Sequence, residues 1–465
     1  FRKSGKKVIA YLENPGSATY YLATSTDYIA LVPNGYIGLV GFKTESLFLK
    51  GTLAKLGIEA KYARVGKYKS AVEPLTRDTY TEPSREALNA VLDDMYEKFI
   101  DDIAAAKNWS REHTQAIVDS GPYIPTDAVA IGLVDTLAYW DEIPDILSDL
   151  VGRDLRGVSY SDFAKRNLKQ PTWGEPATIG IIYGVGGITH GRNRRDLFAG
   201  DVMGSETICE AFRQMREDKS VKAVVFRVDS PGGLMTASDK IRREVELTAR
   251  EKPVIVSMGG VAASGGYHVS CAATRILADY ATVTGSIGVL NLWLHTRGFY
   301  EKIGANKEIF IRGKNADFFP TWRKVTDEHL KRIQWYVDRY YERFIKDVAR
   351  GRRMGVDEVD RIAQGRIWSG KRASEIGLVD EIGGLRRAID VAKVEAGIPK
   401  DETVRFKILP RRKGFLAALA SSLTPGSSEG LMLPDEIADL ARTLGYLSIY
   451  DEPLLYLMPY TIELQ

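Results

Sequence analysis

The chain has 465 residues, 44% of them apolar and 27% charged, which is globular composition and excludes wholesale disorder and collagen-like or coiled-coil rods. Lys and Arg number 64 against 61 Asp and Glu, and a formal charge of +3 supplies no electrostatic grip on nucleic acid or anionic lipid. Two cysteines, Cys209 and Cys271, exclude a disulfide framework and a cysteine-built zinc site; five histidines and no HExxH motif leave little for a histidine metal centre, and no cofactor is implied.

In chain order, the opening FRKSGKKVIAY carries no signal-peptide pattern, and no apolar run reaches the length that spans a bilayer. Residues 7–24 read as a strand entering a helix, and 84–108 as a long amphipathic helix. A polar linker covers 151–176. From 177 to 252 the order is strand (ATIGIIYG), helix (SETICEAFRQMRED), strand (KAVVFRVDS) and helix (LMTASDKIRREVELTARE). Residues 253–270 repeat the strand-into-helix pattern, and 326–353 form a second long amphipathic helix. The extension 399–465 holds a loop, TPGSSEG, and then an apolar, aromatic stretch. That stretch reads as a strand or helix packed on its own domain, with a subunit or lipid contact as the sharper alternative.

The elements repeat. Residues 7–24 align with 253–270 without gaps at a shift of 246, YEKFIDDIA matches YERFIKDVA, and AIGLVDTL matches EIGLVDEI. The chain is therefore expected to be α/β, with two tandem repeats of mostly parallel sheet flanked by helices. The N-terminal repeat covers 1–150, the linker 151–176, the C-terminal repeat 177–398 and the extension 399–465. Nothing before residue 7 corresponds to 177–252, so the natural protein is expected to extend upstream by roughly 70 residues or more.

Two glycine-rich segments of the complete copy suit chemistry. DSPGG, 229–233, follows a buried strand and leaves backbone amides free to approach a ligand. MGGVAASGGYHVS, 258–270, puts Ser264 where a helix begins. A serine there serves as an N-cap, or as a nucleophile favoured by the helix N-terminus. It is not a GxSxG elbow. A nucleophilic serine needs a base. His268, one turn along the same face, points along the helix rather than at the hydroxyl. A buried lysine, neutral through desolvation, is the other choice. At the shift of 246, Lys69 meets Asn315, and Ser264 meets Ala18. Copy one thus holds the lysine without the serine, and copy two the reverse, as division of one ancestral site would leave. Lys314 and Ser17 lie one residue from the matched positions, so a register slip would put the pair within copy two. Lys67 reads as solvent-facing.

The ordered set RVGKYKSAVEP, VDSPGG, SMGGVAASGGYHVS, TVTGSIGV and the paired IGLVD segments resembles the long, duplicated form of the signal peptide peptidase A family, over about residues 7–398. The resemblance implies Clp/crotonase-like repeats and a membrane-associated serine endopeptidase that degrades released signal peptides and other short apolar peptides. It implies Ser264 as nucleophile and Lys69 as general base, with the Gly233 and Gly265 amides as the oxyanion hole. It also implies a homo-tetramer, at the extracytoplasmic side of a bacterial cell membrane, anchored by an upstream segment absent from this chain. Ser286 is a candidate for orienting the lysine amine, set against a plain turn serine. Asp229 stands where the family commonly has asparagine. Clp-type proteases take a histidine from the segment that here reads ATVTGSIGV, and Ser286 stands near that place, which argues against a Ser–His–Asp triad. The competing readings are a non-catalytic scaffold of the same fold gathering membrane partners, and a crotonase-like acyl-CoA enzyme that has no need of Lys69.

Overall fold

Apolar runs such as VKAVVFRV and VIVSM are buried on both faces, which suits parallel strands covered by helices. The computed structural model builds them so. It describes residues 2–165, 175–196, 200–313, 315–323, 325–410 and 454–458. These fall into two compact units, one of residues 2–45 and 92–165, the other of 46–91 and 175–458. Segment 46–91 of the first repeat thus folds as part of the second unit.

In the first unit, strands Ile9–Leu12, Tyr28–Leu31 and Thr136–Leu137 form a parallel three-stranded sheet. Helix Ser17–Ala23 leaves the first strand, and Tyr20, Leu31, Ile37, Leu39, Ile100 and Ile103 fill the core. The long helix read at 84–108 is Glu82–Lys107, of which the part from Leu92 onward belongs to this unit.

In the second unit the main sheet runs Ile367–Ser369, Val283–Gly285, Val254–Ala263, Val221–Ser230, Thr178–Val185, Arg405–Leu409. Every neighbouring pair is parallel except the first, which is antiparallel. The start of the extension therefore completes the sheet edge. A second, mixed sheet runs Glu59–Arg64, Leu290–His295, Leu454–Leu457, Gly232–Leu234, Gly187–Thr189, Gly200–Gly204, Arg194–Asp196. The long helix read at 326–353 is Asp327–Arg352, with Thr326 capping it by accepting from the His329 amide. The linker contains a short helix, Tyr160–Lys165. The TPGSSEG loop and most of the apolar stretch after it lie outside the described residues.

The two copies share specific bonds, not only patterns. In the first unit Tyr20 donates its hydroxyl to Leu133 O (2.8 Å), and the Ile29 amide donates to the Asp135 carboxylate (2.7 Å). In the second, Tyr267 donates to Leu378 O (2.9 Å) and the Ile276 amide to Asp380 (2.7 Å). Tyr20 thus answers to Tyr267 rather than to Gly266, and the gapless register is one residue off at this point. The extra residue of the second copy is taken up by a bulge. Val254–Ala263 slips against Val221–Ser230 between Met258 and Ala262, at Gly259 and Gly260. There the Asp229 carboxylate accepts from the Val261 amide (3.1 Å), and a Cβ on Gly259 would lie 2.6 Å from that carboxylate carbon. The counterpart of Ser264 is accordingly Ser17, not Ala18.

Candidate active site

The strand Val254–Ala263 ends at Ser264, and the helix Gly265–Ser270 begins directly after it. Ser264 holds φ 55° and ψ −111°, a backbone state that costs an L-residue on the order of 1–3 kcal/mol. Its amide donates to Gly285 O and its carbonyl accepts from the His268 amide, each at 2.8 Å, so main-chain bonds fix the turn on both sides.

Lys69 arrives from a different part of the chain. The strand Glu59–Arg64 pairs antiparallel with Leu290–His295, and the segment after it turns into the site. Lys69 Nζ lies 2.7 Å from Ser264 Oγ, 2.9 Å from Ser286 O and 3.1 Å from Ser286 Oγ. Lys69, Ser264 and Ser286 are each 0% exposed. With no carboxylate among these contacts, desolvation drives the lysine pKa well below its ordinary value.

The lysine is held by its backbone. The Tyr68 amide donates to Gln364 O (2.9 Å), the Ser286 amide to Arg366 O (2.7 Å), and the Gly365 amide to Ile287 O (2.9 Å). Gly365 has φ +75°, and a Cβ there would sit 2.6 Å from Lys69 N, Cα and Cβ, so only glycine fits. Arg64 Nη1 donates to Lys69 O (2.7 Å) and to the buried Glu73 carboxylate (3.1 Å). Glu73 also accepts from the Thr81 amide (2.9 Å), the Thr81 hydroxyl (2.8 Å) and the Ser84 hydroxyl (3.0 Å). Burial pushes its pKa up, but these donors outweigh burial and hold it below the ordinary range. Arg64, Glu73 and Gly365 escape a sequence reading, because their partners lie at points of the chain that only the fold brings together.

The two glycine segments meet as well. Gly232 and Gly233 have φ +108° and +156°. A Cβ on Gly233 would lie 2.2 Å from Ile188 O, and one on Gly265 would lie 3.0 Å from Gly232 Cα and 3.1 Å from Gly233 N. The backbones that carry the Gly233 and Gly265 amides are thus in close approach beside Ser264.

The remaining candidates go elsewhere. His268 is buried with Nε2 3.3 Å from the Asp347 carboxylate, its ring 4.8 Å from that of Phe344. Lys67 is exposed, with its ammonium over the Tyr68 ring. Asn315, matched to Lys69 by the repeat, is exposed, and Lys314 lies outside the described residues. In the first unit the Ser17 hydroxyl donates to Gly38 O and Gly41 O, each at 3.3 Å, a structural use of the same position. Cys209 and Cys271 are buried free thiols, and burial pushes them up to about 11 and about 12. Among the described residues no helix is long and apolar enough to cross a membrane.

One parallel α/β unit thus holds together a serine at a strained strand-to-helix turn, a desolvated lysine on its hydroxyl and paired glycine backbones beside it. The chain belongs to peptidase family S49, whose family model matches residues 1–153 and 246–399, the two copies of the repeat. It is 36% identical over 436 residues to the chloroplastic serine protease SPPA of Arabidopsis thaliana, covering 92% of this chain and 64% of that protein. It is 35% identical over 413 residues to protease 4 of Salmonella typhi, covering 85% of this chain and 65% of that protein. Protease 4 of Haemophilus influenzae is 31% identical over 480 residues, covering 97% of this chain and 76% of that protein. The chain thus spans slightly under two-thirds of the length of the first two of these relatives.

Proposed function

We propose that this chain is a serine endopeptidase working through a Ser264–Lys69 dyad on short, apolar, extended peptides, released signal peptides among them. The observation that carries the reading is the 2.7 Å contact between Lys69 Nζ and Ser264 Oγ in a site with no exposure and no counter-charge. A neutral amine has two N–H donors and one lone pair. Ser286 O, with a hydroxyl oxygen, takes the donors, which leaves the lone pair for the Ser264 hydroxyl proton. Ser286 is therefore the orienting residue.

In the first half-reaction Ser264 Oγ bonds to the scissile carbonyl carbon as its proton passes to Lys69 Nζ. The negative charge on the carbonyl oxygen is held by the Gly233 and Gly265 amides. The ammonium then protonates the leaving nitrogen as the C–N bond breaks. Water attacks the ester with its proton taken by the same amine, and that proton returns to Ser264 Oγ as the acid departs. The family resemblance supports three further parts of the reading: a homo-tetramer, an anchor upstream of this chain, and a site on the extracytoplasmic side of a bacterial membrane.

The test is hydrolysis of a fluorogenic apolar peptide, with a fluorophosphonate probe as a second readout. Ser264→Ala and Lys69→Ala are expected to lose both signals while remaining folded, and Lys314→Ala to keep both. Retained hydrolysis in Ser264→Ala would overturn the reading. A folded wild type that neither cleaves nor labels would favour a scaffold.

A further inference from the structure

Two loops meet at the dyad, and one side chain bridges their neighbours. Arg366 Nη1 donates to the Tyr68 hydroxyl (2.8 Å) and to the Glu86 carboxylate (2.6 Å). The Tyr68 hydroxyl donates to the other oxygen of that carboxylate (3.1 Å). The guanidinium carbon lies 4.7 Å from the centre of the Tyr68 ring and 4.5 Å from that of the Trp368 ring, so one planar cation rests on two aromatic rings at once.

Each ring leads to one half of the dyad. Tyr68 is buried and directly precedes Lys69. Trp368 pairs with Thr284 on the strand that ends at Gly285. Its indole packs so closely that a Cβ on Gly285 would lie 2.8 Å from it, and its ring nitrogen donates to Ile362 O (3.0 Å). Gly285 precedes Ser286, and its carbonyl accepts from the Ser264 amide. Contacts therefore run from Lys69 through Tyr68, Arg366 and Trp368 to Gly285, Ser286 and Ser264. Tyr68 and Glu86 come from the first repeat, Arg366 and Trp368 from the second, and all four fold within the second unit.

An ordinary ion pair accounts for little of this arrangement. The Glu86 side chain is 54% exposed, and pairs to carboxylates so placed are weak. Arg366 Nε is buried and has no hydrogen-bond partner among the described residues. An arginine placed only to neutralise Glu86 gains nothing by burying that donor. A guanidinium placed as a flat plate against two rings holds its orientation by stacking, which a lysine cannot supply.

We propose that the Arg366 side chain is a positioning residue of the dyad, a clamp that sets the Lys69 loop against the Ser286 loop. The proposal rests on the peptidase reading for what is positioned, and the contacts of the clamp stand without it. Displacement of a catalytic group by an ångström costs on the order of a hundredfold in rate. Loosening Tyr68 also lets water reach the lysine amine, and hydration restores the charged form that burial disfavours. Arg64 and Glu73, which hold the lysine carbonyl and its partner, are untouched by such a change.

The test uses Arg366→Met and Arg366→Lys in the full chain, each checked for folding by urea unfolding. Arg366→Lys keeps a cation beside Glu86 without the plate. Both variants are expected to lose about tenfold or more in kcat on a fluorogenic apolar peptide, with KM within about twofold of wild type. The base must be neutral to act, so activity rises with pH through the lysine pKa, and a hydrated lysine moves that rise upward. The acid limb of the pH profile is expected to shift to higher pH by about half a unit or more in both variants. Separately, in the Ser264→Ala background, the Tyr68 and Ser286 amides, bonded to Gln364 O and Arg366 O, are expected to exchange about tenfold faster once Arg366 is replaced by methionine. An acid limb that stays at the wild-type pH in both variants, whatever happens to kcat, would overturn the proposal, and so would unchanged amide protection. A wild type that neither cleaves nor labels, with amides that loosen in Arg366→Met, would instead sink the peptidase reading and leave the clamp standing.

Discussion

Replacing Lys69 by methionine removes the proposed base while keeping an unbranched side chain of similar length in a fully buried place. Its effect on stability carries a sign that separates a neutral lysine from a charged one. The Lys69 pKa is depressed in the folded chain, with desolvation as its cause. In the unfolded chain it returns to about 10.4. Between the two values the unfolded state binds a proton that the folded state does not. Wild-type stability therefore rises with pH across this window, by about 1.4 kcal/mol per unit, and falls as pH drops toward the folded value. Methionine has no such term. It also leaves Ser264 Oγ and Ser286 without the amine, a cost of about 1–3 kcal/mol that does not vary with pH. The difference between the two proteins should thus change steadily with pH, whatever its offset. The assay is urea unfolding from pH 7 to 10, followed by tryptophan fluorescence. The variant is expected to gain on wild type as pH falls, with no peptidase activity throughout. Parallel stability profiles would refute the reasoning, since they would mean that Lys69 keeps its proton on folding.

Two other predictions concern the backbone. Ser264→Gly should abolish labelling as Ser264→Ala does, yet be more stable than Ser264→Ala by about 1 kcal/mol, because glycine relaxes at φ 55° and alanine does not. Equal denaturation midpoints would show that the turn is unstrained. Gly365→Ala should push the Lys69 backbone away from a contact of 2.6 Å and lower the labelling rate at least tenfold, about 1.4 kcal/mol, with the circular dichroism spectrum unchanged. Wild-type labelling in that variant would mean that Lys69 tolerates displacement.

The sequence carries Ser264 plainly, since an apolar strand, paired glycines and a helix start are local features. It carries Lys69 through the family motif RVGKYKSAVEP and through the comparison of the two copies, the latter in a register that the fold corrects. The bulge at Gly259 and Gly260 adds one residue to the second copy, and no pattern of apolar positions reveals a bulge. With it, Ser264 answers to Ser17, whose hydroxyl the first unit spends on carbonyls of its own chain. The first copy thus keeps a serine at the matched position in the first unit, while its lysine folds into the second unit. The tail strand is legible as an apolar segment but not as a neighbour of Gly233, because a pairing across more than two hundred residues leaves no local trace. Asn291, set among Leu290, Leu292, Trp293 and Leu294, is a signal there that a closer reading of composition could have singled out.

With Ser264 and Lys69 as the proposed dyad, the span between them also governs when the protein can act. The strand leading to Lys69 finds its partner in Leu290–His295, and the lysine backbone is held by Gln364 and Gly365. A ribosome that has finished Lys69 must still add Ser264, Ser286 and Gly365 before the pair can form. At ordinary rates of synthesis this takes roughly 15 to 60 s, during which the nascent chain holds half of a dyad and cannot attack a peptide. Most of the site's contacts are non-local, so folding after release adds further delay. On that reading the separation of serine and lysine along the chain acts as a timer, and the growing polypeptide stays inert until Gly365 has been made.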